Sequence, residues 1–273
     1  MTTVAAALAA ARAKLPASEA RLLLGHVTGR SPAWLIAHDD EHLDEHTLLG
    51  FASLAARRAG GEPVAYLLGY REFFGRDFAV SPAVLIPRPE TELLVELALA
   101  TGTNADVPAR ILDLGTGSGC IGITLALELP RAQVSAIDSS TAALAVAQRN
   151  AQRHGARLHL LQSDWFAALT GERFDLIVAN PPYIAAADPH LDAGDLRHEP
   201  SAALASGSDG LDAIRRIIGD APLFLAPGGR LLLEHGHDQG AAVRALLEAR
   251  GLASVEQHRD LAGIVRVSGA KQS

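Results

Sequence analysis

The chain has 273 residues, a formal net charge of −7 at pH 7 and a single cysteine. Its 48% of hydrophobic residues can bury a large core, and a chain of this length typically folds as about two domains. The acidic balance argues against a stand-alone nucleic-acid-binding protein, which usually presents a basic face. A lone cysteine excludes an internal disulfide and fits a reducing cytosol. Because no apolar run reaches the roughly 18–20 residues that span a bilayer, we expect a cytoplasmic protein without a membrane partner.

Capping residues and glycines divide residues 1–61 into a series of helices. Ser18 and Ser31 are N-cap candidates, and either Asp44 or Thr47 starts a further helix. The pattern predicts a small helical bundle as the N-terminal domain.

Residues 62–84 change character and are predicted to form a linker. The sequence "REFFGRDFAV" alternates around Gly75, as a short β-hairpin does. After the linker, Pro89 occupies the first position of a predicted helix whose first turn contains Glu90 and Glu92, an arrangement that the helix dipole favours.

Residues 85–273 are predicted to form one α/β domain, in which strands and helices alternate from Arg110 onward. The predicted strands are 110–115, 133–138, 157–164, 174–180, 229–236, 253–260 and 263–269. The predicted helices between them are 120–129, 141–155, 210–225 and 241–251. Near-continuous apolar strands alternating with helices are typical of a mainly parallel, doubly wound sheet that is covered on both faces. The last two strands lack a connecting helix, so one of them is expected to run antiparallel.

A glycine-rich turn in "ILDLGTGSGCIG", residues 111–122, joins the first of these strands to a helix. Gly115, Gly117 and Gly119 allow tight turning and the close approach of a ligand to the helix N-terminus. No lysine follows the glycines, which excludes a P-loop, and the G-x-G-x-G spacing differs from the dinucleotide fingerprint. The alternative is an ordinary strand–helix turn.

Acidic and aromatic residues follow the next two strands. Asp138 ends "VSAID", where doubly wound nucleoside sites place a carboxylate against ribose hydroxyls. Asp164 and Trp165 end the following strand. These positions share the edge of the sheet at which open α/β folds bind ligands, although a helix cap at Asp138 and core packing of Trp165 are the alternatives.

The next strand ends in "NPPY", residues 180–183. Pro181 and Pro182 have no N–H and stiffen the exit from the strand. The Asn180 side-chain oxygen and the Pro181 carbonyl can together accept both hydrogens of one NH2 group, and Tyr183 offers a flat face to a planar amide or base. A merely rigid strand exit is the alternative.

The nitrogen of an amide is a poor nucleophile because its lone pair is delocalised. Two acceptors that take hydrogen bonds from both of its N–H groups in a bent geometry favour a pyramidal nitrogen and aim it at an electrophile. Such positioning is worth several kcal/mol. Asparagine itself is no base at neutral pH.

This chain resembles the class I S-adenosylmethionine-dependent methyltransferases in the motifs "DLGTGSG", Asp138, "SDW" and "NPPY". The NPPY motif is similar to that of the subset of these enzymes that methylates planar nitrogens. The stretches 61–80 and 85–92 and the helical N-terminal block resemble the release factor glutamine methyltransferases, the PrmC/HemK family. The resemblance covers essentially the whole chain. It implies a Rossmann-like α/β methyltransferase fold preceded by the helical bundle and the hairpin linker.

The resemblance implies N5-methylation of the glutamine in the Gly-Gly-Gln loop of bacterial class 1 peptide chain release factors. The residues that it assigns to S-adenosylmethionine are Gly115, Thr116, Gly117, Ser118, Gly119, Asp138, Asp164, Trp165 and Asn180. Those that it assigns to the glutamine amide are Asn180, Pro181, Pro182 and Tyr183, with Asn180, Pro181 and Tyr183 as the catalytic candidates. Arg88, Pro89 and Glu90 would lie over the cofactor pocket in roles that the resemblance does not define. The helical domain would dock the release factor, and we expect a monomer without direct nucleic-acid contact or metal.

Two further features have structural interpretations. "HLDEH", residues 42–46, fits a zinc-site pattern by letter, but nothing obviously completes the site and Asp44 serves better as a helix cap. Cys120 lacks an evident base partner and is interpreted as a packing residue.

The segment 181–209 is long for a loop and is expected to close over the substrate, since such loops are usually functional or disordered. It contains four residues that we interpret as solvated or capping residues and not as metal ligands: His190, Asp192, His198 and Glu199.

Two other functions remain open at this point. An enzyme that methylates an exocyclic nitrogen of DNA or RNA bases would need a basic face and a target-recognition insert, and neither is visible. A non-enzymatic adaptor that binds the cofactor would leave the NPPY corner unexplained.

Overall fold

In a computed structural model, which describes residues 2–101 and 108–273, the chain divides into two units, residues 1–70 and 71–273. The predicted domain boundaries after residues 61 and 84 stay predictions.

The described residues of the first unit form five helices and a short antiparallel ladder. The helices α1 to α5 are Val4–Ala11, Ala17–Thr28, Pro32–Ala37, Glu45–Ala59 and Val64–Leu68, and the strands β1 and β2 are Thr2–Thr3 and His42–Leu43. The apolar faces of the helices bury a core that includes Leu23, Leu24, Leu35 and Phe51. The helical bundle is confirmed, with α5 lying inside the predicted linker.

Two of the predicted helix caps are present in the first unit. Ser31 and Asp44 cap α3 and α4, and each accepts a hydrogen bond from the backbone N–H three residues on, at 3.1 and 2.7 Å. The expectation for Ser18 is wrong, because α2 already begins at Ala17, with Pro16 at its N-cap. Pro16 has no backbone N–H and a restricted φ, so it interrupts the chain before α2. The helix α2 then begins without a capping side chain.

The predicted hairpin consists of β3, Tyr70–Phe73, and β4, Arg76–Ala79. Both central residues of its turn have positive φ, 52° at Phe74 and 73° at Gly75. Two positive φ angles give a turn whose twist matches that of the paired strands.

The described residues of the second unit contain, after the hairpin, five helices and seven strands. The helices α6 to α10 are Glu92–Ala100, Cys120–Glu128, Thr141–His154, Asp212–Asp220 and Gly240–Ala249. The strands β5 to β11 are Arg110–Leu114, Gln133–Asp138, His159–Gln162, Phe174–Ala179, Leu225–Glu234, Ala253–Arg259 and Val265–Lys271.

These strands form a single sheet with the order β10-β11-β9-β8-β5-β6-β7. The five strands from β9 to β7 in this order are parallel, whereas β11 is antiparallel to both of its neighbours. Successive residues of the central strands pack on opposite faces of the sheet, in two separate cores. Ile111 belongs to one core and Leu112 to the other. The mainly parallel, doubly wound α/β sheet is confirmed, as is the antiparallel strand near the end of the chain.

One predicted helix is too long. The pattern predicts a helix over 210–225, but α9 ends at Asp220 and a short 3-10 turn, Ala221–Leu223, follows it. Pro222 lies in this turn and cannot donate a helical hydrogen bond, so the helix stops and β9 begins at Leu225.

The strand order places a binding crevice at a defined position. From β5 the chain first builds the sheet outward through β6 and β7, and it then returns to the other side of β5 to build β8 and β9. At such a switch point the loops after the two central strands diverge and leave a crevice at their carboxyl ends. Gly115 follows β5 and Asn180 follows β8, so both predicted motifs flank this crevice.

The Asn150 side chain links the glycine-rich turn to the hairpin. Asn150 lies on α8 and is fully buried. Its Nδ2 donates to the carbonyls of Ser118 and Ala79, at 2.8 and 3.0 Å, and its Oδ1 accepts from the Ala79 N–H at 2.7 Å. One amide therefore satisfies backbone groups of two segments that are distant in sequence.

Replacing Asn150 with alanine should lower the free energy of unfolding by about 1–3 kcal/mol, because it leaves buried backbone groups without partners. Urea unfolding at equilibrium measures this change. The control is Arg149→Ala, since Arg149 is the exposed neighbour on the same helix, and we expect it to change stability by less than about 0.5 kcal/mol. Equal stability of the two variants would contradict the linking role.

Candidate active site

A cavity of ≈ 380 Å³ lies at the carboxyl edge of the sheet. Most of the predicted site residues line it: Gly115, Thr116, Gly117, Ser118, Asp138, Asp164, Trp165, Asn180, Pro181 and Pro182. Its volume is in the range of ordinary small-molecule sites. The topology therefore brings the glycine-rich turn and the NPPY corner to one cavity.

Among the residues predicted to hold the cofactor or the amide, Gly119 and Tyr183 are not part of the cavity wall. Of the three residues expected over the pocket, Arg88 lines it, whereas Pro89 and Glu90 do not. Gly119 is buried at the start of α7 with a φ of 85°, and a Cβ there would lie 2.7 Å from Ile123 Cδ1 and 3.2 Å from Ala147 Cβ. The absence of a side chain at Gly119 thus serves the packing of α7 against α8. Tyr183 packs against the buried core, and its carbonyl accepts a hydrogen bond from Gln239 Nε2 at 2.9 Å. The predicted ligand contacts of Gly119 and Tyr183 stay predictions.

Asp113, which is fully buried near the end of β5, holds the glycine-rich turn from the protein interior. Asp113 Oδ2 accepts from the Thr116 hydroxyl at 2.6 Å and from the Gly122 N–H at 2.9 Å. Burial raises the pKa of Asp113 to about 6, against the lowering effect of these two hydrogen bonds. One carboxyl therefore ties the start of the turn to the first turn of α7.

Asp138 fixes the turn from the side. Its Oδ2 accepts from the Gly117 N–H and its Oδ1 from the Ser140 N–H, both at 2.9 Å. Each carboxylate oxygen keeps a free lone pair for a further donor. Asp138 is half-buried on the cavity wall, so it can offer that lone pair to a hydroxyl of a ligand.

Trp165 and Asp164 form the next part of the wall. Trp165 has a φ of 51°, which is unusual for a bulky residue, and its ring lies 3.7 Å from the position that a Cβ on Gly115 would take. Asp164 is mostly exposed and makes a two-point ion pair with Arg216, at 2.9 and 3.0 Å. The strained backbone at Trp165 places a flat aromatic surface beside the glycine-rich turn.

The side-chain amide of Asn180 is oriented by Thr91. Asn180 Nδ2 donates to Thr91 Oγ1 at 3.0 Å, and Thr91 is 2% exposed in the short turn before α6. Asn180 Oδ1 is buried and has no hydrogen-bond partner among the described residues. A buried acceptor without a partner is unfavourable by about 1–3 kcal/mol, so this oxygen is a strong site for a ligand donor.

Glu234 lies behind this corner, at the end of β9, and is 1% exposed. The Thr91 and Tyr183 side chains are near enough to lower the pKa of its carboxyl. Burial, above all other effects, raises the pKa of Glu234 to about 7. Burial also raises the pKa of the Tyr183 phenol, and the Glu234 carboxyl adds to this effect, so Tyr183 keeps its proton at neutral pH.

Arg88 and Glu199 join two segments that line the cavity. Glu199 is buried, accepts from the Ile86 N–H at 2.9 Å and forms an ion pair with Arg88. Of the two interpretations of Glu199, solvated or capping, the first is therefore wrong, while Glu199 does lie at the C-cap of the 3-10 turn Leu196–His198. The reason is that a carboxylate which accepts a backbone N–H and a guanidinium is stable in a buried position.

The predicted loop 181–209 contains local structure. It includes three 3-10 turns, at Pro189–Asp192, Leu196–His198 and Ser201–Ala203. Ile184 also pairs with the end of the loop, since its N–H donates to Leu204 and its carbonyl accepts from Ser206. The closure of this loop over a substrate stays a prediction.

Cys120 is buried in the cavity wall at the start of α7, as expected for a packing residue. Burial raises the pKa of its thiol to about 12. At neutral pH the group is a thiol and not a nucleophilic thiolate.

Across residues 2–101 and 108–273, no group of histidine, cysteine, aspartate or glutamate is placed to hold a metal ion. In the same ranges no helix combines the length and apolarity needed to cross a bilayer. In "HLDEH" the Asp44 carboxylate caps α4, as predicted.

Sequence reasoning missed several residues that shape the site: Thr91, Asp113, Asn150 and Glu234. Asp113 and Glu234 had a signal, since each is an acidic residue in an otherwise apolar strand, "ILDL" and "LLLE". An acidic residue that is buried with such a strand needs polar partners, because an unpaired buried charge is unstable. Thr91 had no comparable signal.

Two family models match the chain. The model of the PrmC N-terminal domain matches residues 1–69, and that of the methyltransferase small domain matches residues 90–207. The chain is 56% identical to the release factor glutamine methyltransferase of Bordetella pertussis, over 93% of this chain and 94% of the relative. It is 46% identical to that of Escherichia coli, over 93% and 91%.

The chain belongs to the release factor glutamine methyltransferase family. The family resemblance stated from the motifs is thereby confirmed, and the chain is a methyltransferase. A solved methyltransferase from Pyrococcus furiosus has a TM-score of 0.56 at 19% identity, covering 81% of this chain and 99% of that one. At that identity the likeness shows the fold alone, and it confirms the Rossmann-like class.

Proposed function

We propose that this methyltransferase transfers a methyl group from S-adenosylmethionine to the side-chain amide nitrogen, N5, of the glutamine in the Gly-Gly-Gln loop of bacterial class 1 peptide chain release factors. Family membership over nearly the whole chain supports the substrate class. The observation that carries the proposal is the buried, unpartnered Asn180 Oδ1 in the cavity wall.

The residues of the cavity fit S-adenosylmethionine. Asp138 offers carboxylate lone pairs to ribose hydroxyls, and Trp165 offers an aromatic face to adenine. At Gly115 the turn has no side chain, and a Cβ there would extend toward the Trp165 ring. When bound, S-adenosylmethionine supplies an electrophilic methyl group on a sulfonium. Asp164, which Arg216 holds in place, is proposed to lie near the adenine.

The NPPY corner fits a carboxamide. Asn180 Oδ1 accepts one N–H of the glutamine NH2, and the carbonyl of Pro181 is proposed to accept the other. Pro182 keeps the segment stiff, and Tyr183 is proposed to pack against the amide plane. Two fixed acceptors orient the nitrogen lone pair toward the cofactor side of the cavity, and such orientation is worth several kcal/mol of the barrier.

Asn180 binds and orients the amide but does not remove its proton, because a neutral amide is no base near pH 7. The nitrogen loses a proton only after it has become cationic, and water can accept that proton. The side chains of the corner therefore act by positioning the nucleophile.

The helical N-terminal domain, residues 1–61, is proposed to dock the release factor. It presents large apolar side chains to solvent on three helices: Leu22, Ile36 and Leu49 are 44%, 61% and 65% exposed. Exposed apolar residues of this kind are common at protein interaction sites. The cytoplasmic location and the monomeric state stay predictions.

The direct test is incubation of the protein with labelled S-adenosylmethionine and a purified class 1 release factor, followed by mass-spectrometric localisation of the label. We expect one methyl group on the side-chain nitrogen of the Gly-Gly-Gln glutamine and none after that glutamine is replaced with alanine. DNA and RNA are parallel substrates in the same assay. Label in nucleic acid alone would support the base-methylating alternative, and label in none of them would support a binding adaptor.

Replacing Asn180 with alanine should lower kcat on the release factor by at least about a hundredfold, because misplacing the nucleophile by about 1 Å already has an effect of that size. The affinity for S-adenosylmethionine, measured by calorimetry, should stay within about twofold, since most of the contacts proposed for the cofactor are elsewhere. Gln148→Ala is the control, because it removes an exposed amide from α8. Near-normal kcat in Asn180→Ala would contradict the assigned role.

Replacing Asp138 with alanine should weaken S-adenosylmethionine binding by about tenfold or more, since it removes a hydrogen bond to a charged acceptor worth roughly 1.5–3 kcal/mol. A binding titration measures the change, with Asp40→Ala as the control that removes an exposed carboxylate from the first unit. Unchanged affinity in Asp138→Ala would place the cofactor elsewhere.

A further inference from the structure

The side-chain amide of Gln239 lies behind the NPPY segment and uses both of its ends in hydrogen bonds. Gln239 is the N-cap residue of α10 and is 8% exposed. Its Nε2 donates to the Tyr183 carbonyl at 2.9 Å and to the Asp209 carbonyl at 3.4 Å. Its Oε1 accepts from the Gly236 N–H at 2.8 Å. One amide therefore joins the turn after β9 to both ends of the segment 181–209.

These contacts fix the orientation of the Gln239 amide. Its NH2 group faces two carbonyl oxygens and its oxygen faces an N–H, so a flipped amide would place donor against donor and acceptor against acceptor. Gly210 leaves room for the contact with Tyr183. Its φ is 77°, and a Cβ there would lie 2.2 Å from the Tyr183 carbonyl oxygen and 2.8 Å from Gln239 Nε2. The hydrogen bond between Gln239 and Tyr183 thus depends on the absence of a side chain at position 210.

We propose that Gln239 is a positioning residue, which holds the backbone of Pro181, Pro182 and Tyr183 in the conformation that receives the substrate amide. Gln239 itself does not line the cavity. This inference rests on the proposed function, because that function assigns the Pro181 carbonyl to the capture of a substrate NH2 group. The hold on the segment is a property of the folded chain and can be measured without turnover.

The two prolines connect the anchored carbonyl of Tyr183 to the proposed acceptor. Pro181 and Pro182 have no N–H, so hydrogen-bond donation cannot fix their backbone, and the ring of each restricts φ. Because the segment between them is stiff, an anchor on the Tyr183 carbonyl also places the carbonyl of Pro181. The Asn180 side chain is anchored separately, through Thr91 at 3.0 Å. Gln239 and Thr91 thus hold the two proposed acceptors by different routes.

The two ends of the segment 181–209 also pair with each other beyond Tyr183. The Ile184 N–H donates to the Leu204 carbonyl at 2.9 Å, and the Ser206 N–H donates to the Ile184 carbonyl at 2.8 Å. The Gln239 amide closes this pairing on the side of the NPPY segment. It therefore separates the backbone of the corner from movements in the rest of the segment.

The test compares Gln239→Met and Gln239→Glu with the controls Gln257→Met and Gln257→Glu. Gln239→Met keeps the length of the side chain but removes its donor and its acceptor. Gln239→Glu keeps an acceptor for Gly236, but it donates to Tyr183 only while its carboxyl is protonated. Gln257 is a matched amide, because its Nε2 donates at 2.7 Å to the carbonyl of Gly240, which lies outside the NPPY segment.

Each variant is measured for kcat on the release factor from about pH 6 to about pH 8. The affinity for S-adenosylmethionine and the hydrogen exchange of the Ile184 N–H, observed by NMR, are the other two measurements. Each kcat is divided by that of the parent at the same pH, so the titration of native groups cancels. The native titratable groups that adjoin Gln239 in the chain or through its contacts are His235, Asp238, Asp209 and Tyr183.

We expect kcat in Gln239→Met to fall by about tenfold to a hundredfold, with cofactor affinity within about twofold. In Gln239→Glu, burial and the two facing carbonyl oxygens raise the pKa of the introduced carboxyl. Its kcat should therefore be within about threefold of the parent at the acidic end and at least about tenfold lower at the alkaline end. Exchange of the Ile184 N–H should be at least about fivefold faster in Gln239→Met. Both Gln257 variants should keep parent-like kcat and exchange.

Parent-like kcat or parent-like Ile184 exchange in Gln239→Met would overturn the inference. A kcat in Gln239→Glu that is equally low relative to the parent at every pH would also overturn it, because protonation would then restore nothing. Equal losses of kcat in Gln257→Met and Gln239→Met would show general destabilisation instead of positioning. A parent enzyme that does not methylate the release factor would refute the proposed function, and the exchange measurement would still decide whether Gln239 holds the segment.

Discussion

The hydrogen bond between Asn180 and Thr91 is the constraint on which the geometry of the NPPY corner depends. A carboxamide has a donor end and an acceptor end of nearly equal size, so shape alone does not decide which end faces a ligand. Burial makes the choice strict, because a buried donor or acceptor without a partner is unfavourable by about 1–3 kcal/mol. Thr91 satisfies the donor end, which leaves Asn180 Oδ1 as the acceptor in the cavity wall.

The sheet topology brings this corner to the glycine-rich turn. Because β5 and β8 are adjacent and parallel, their carboxyl ends meet at one edge, and Gly115 and Asn180 follow them directly. A methyl donor bound at the first loop and a substrate amide held at the second loop would then be neighbours, and no further element would be needed to bring them together. Asp113 and Asn150 fix the backbone of the turn from inside the protein, so its geometry does not depend on exposed contacts.

The sequence alone predicts the parts of this site that are continuous in the chain. Strand–turn–helix patterns placed Gly115 and Asp138 at the correct edge, and the exit from β8 identified Asn180, since the local backbone rules at glycine and proline are strong. Contacts between distant residues were not predictable in this way. Neither the link from Thr91 to Asn180 nor the pairing of Glu199 has a local signature. Glu199 was therefore interpreted as solvated or capping, because a charged residue in a loop is exposed far more often than it is buried.

The one cysteine of the chain has a consequence for how the protein can be observed. Cys120 is buried in the wall of the cavity, with a thiol pKa of about 12. Alkylating reagents attack thiolates, so we expect slow labelling of this thiol while it stays buried and protonated. The rate at which Cys120 is alkylated in the unmodified protein therefore reports changes in the exposure of the cavity wall. No probe has to be introduced for this measurement.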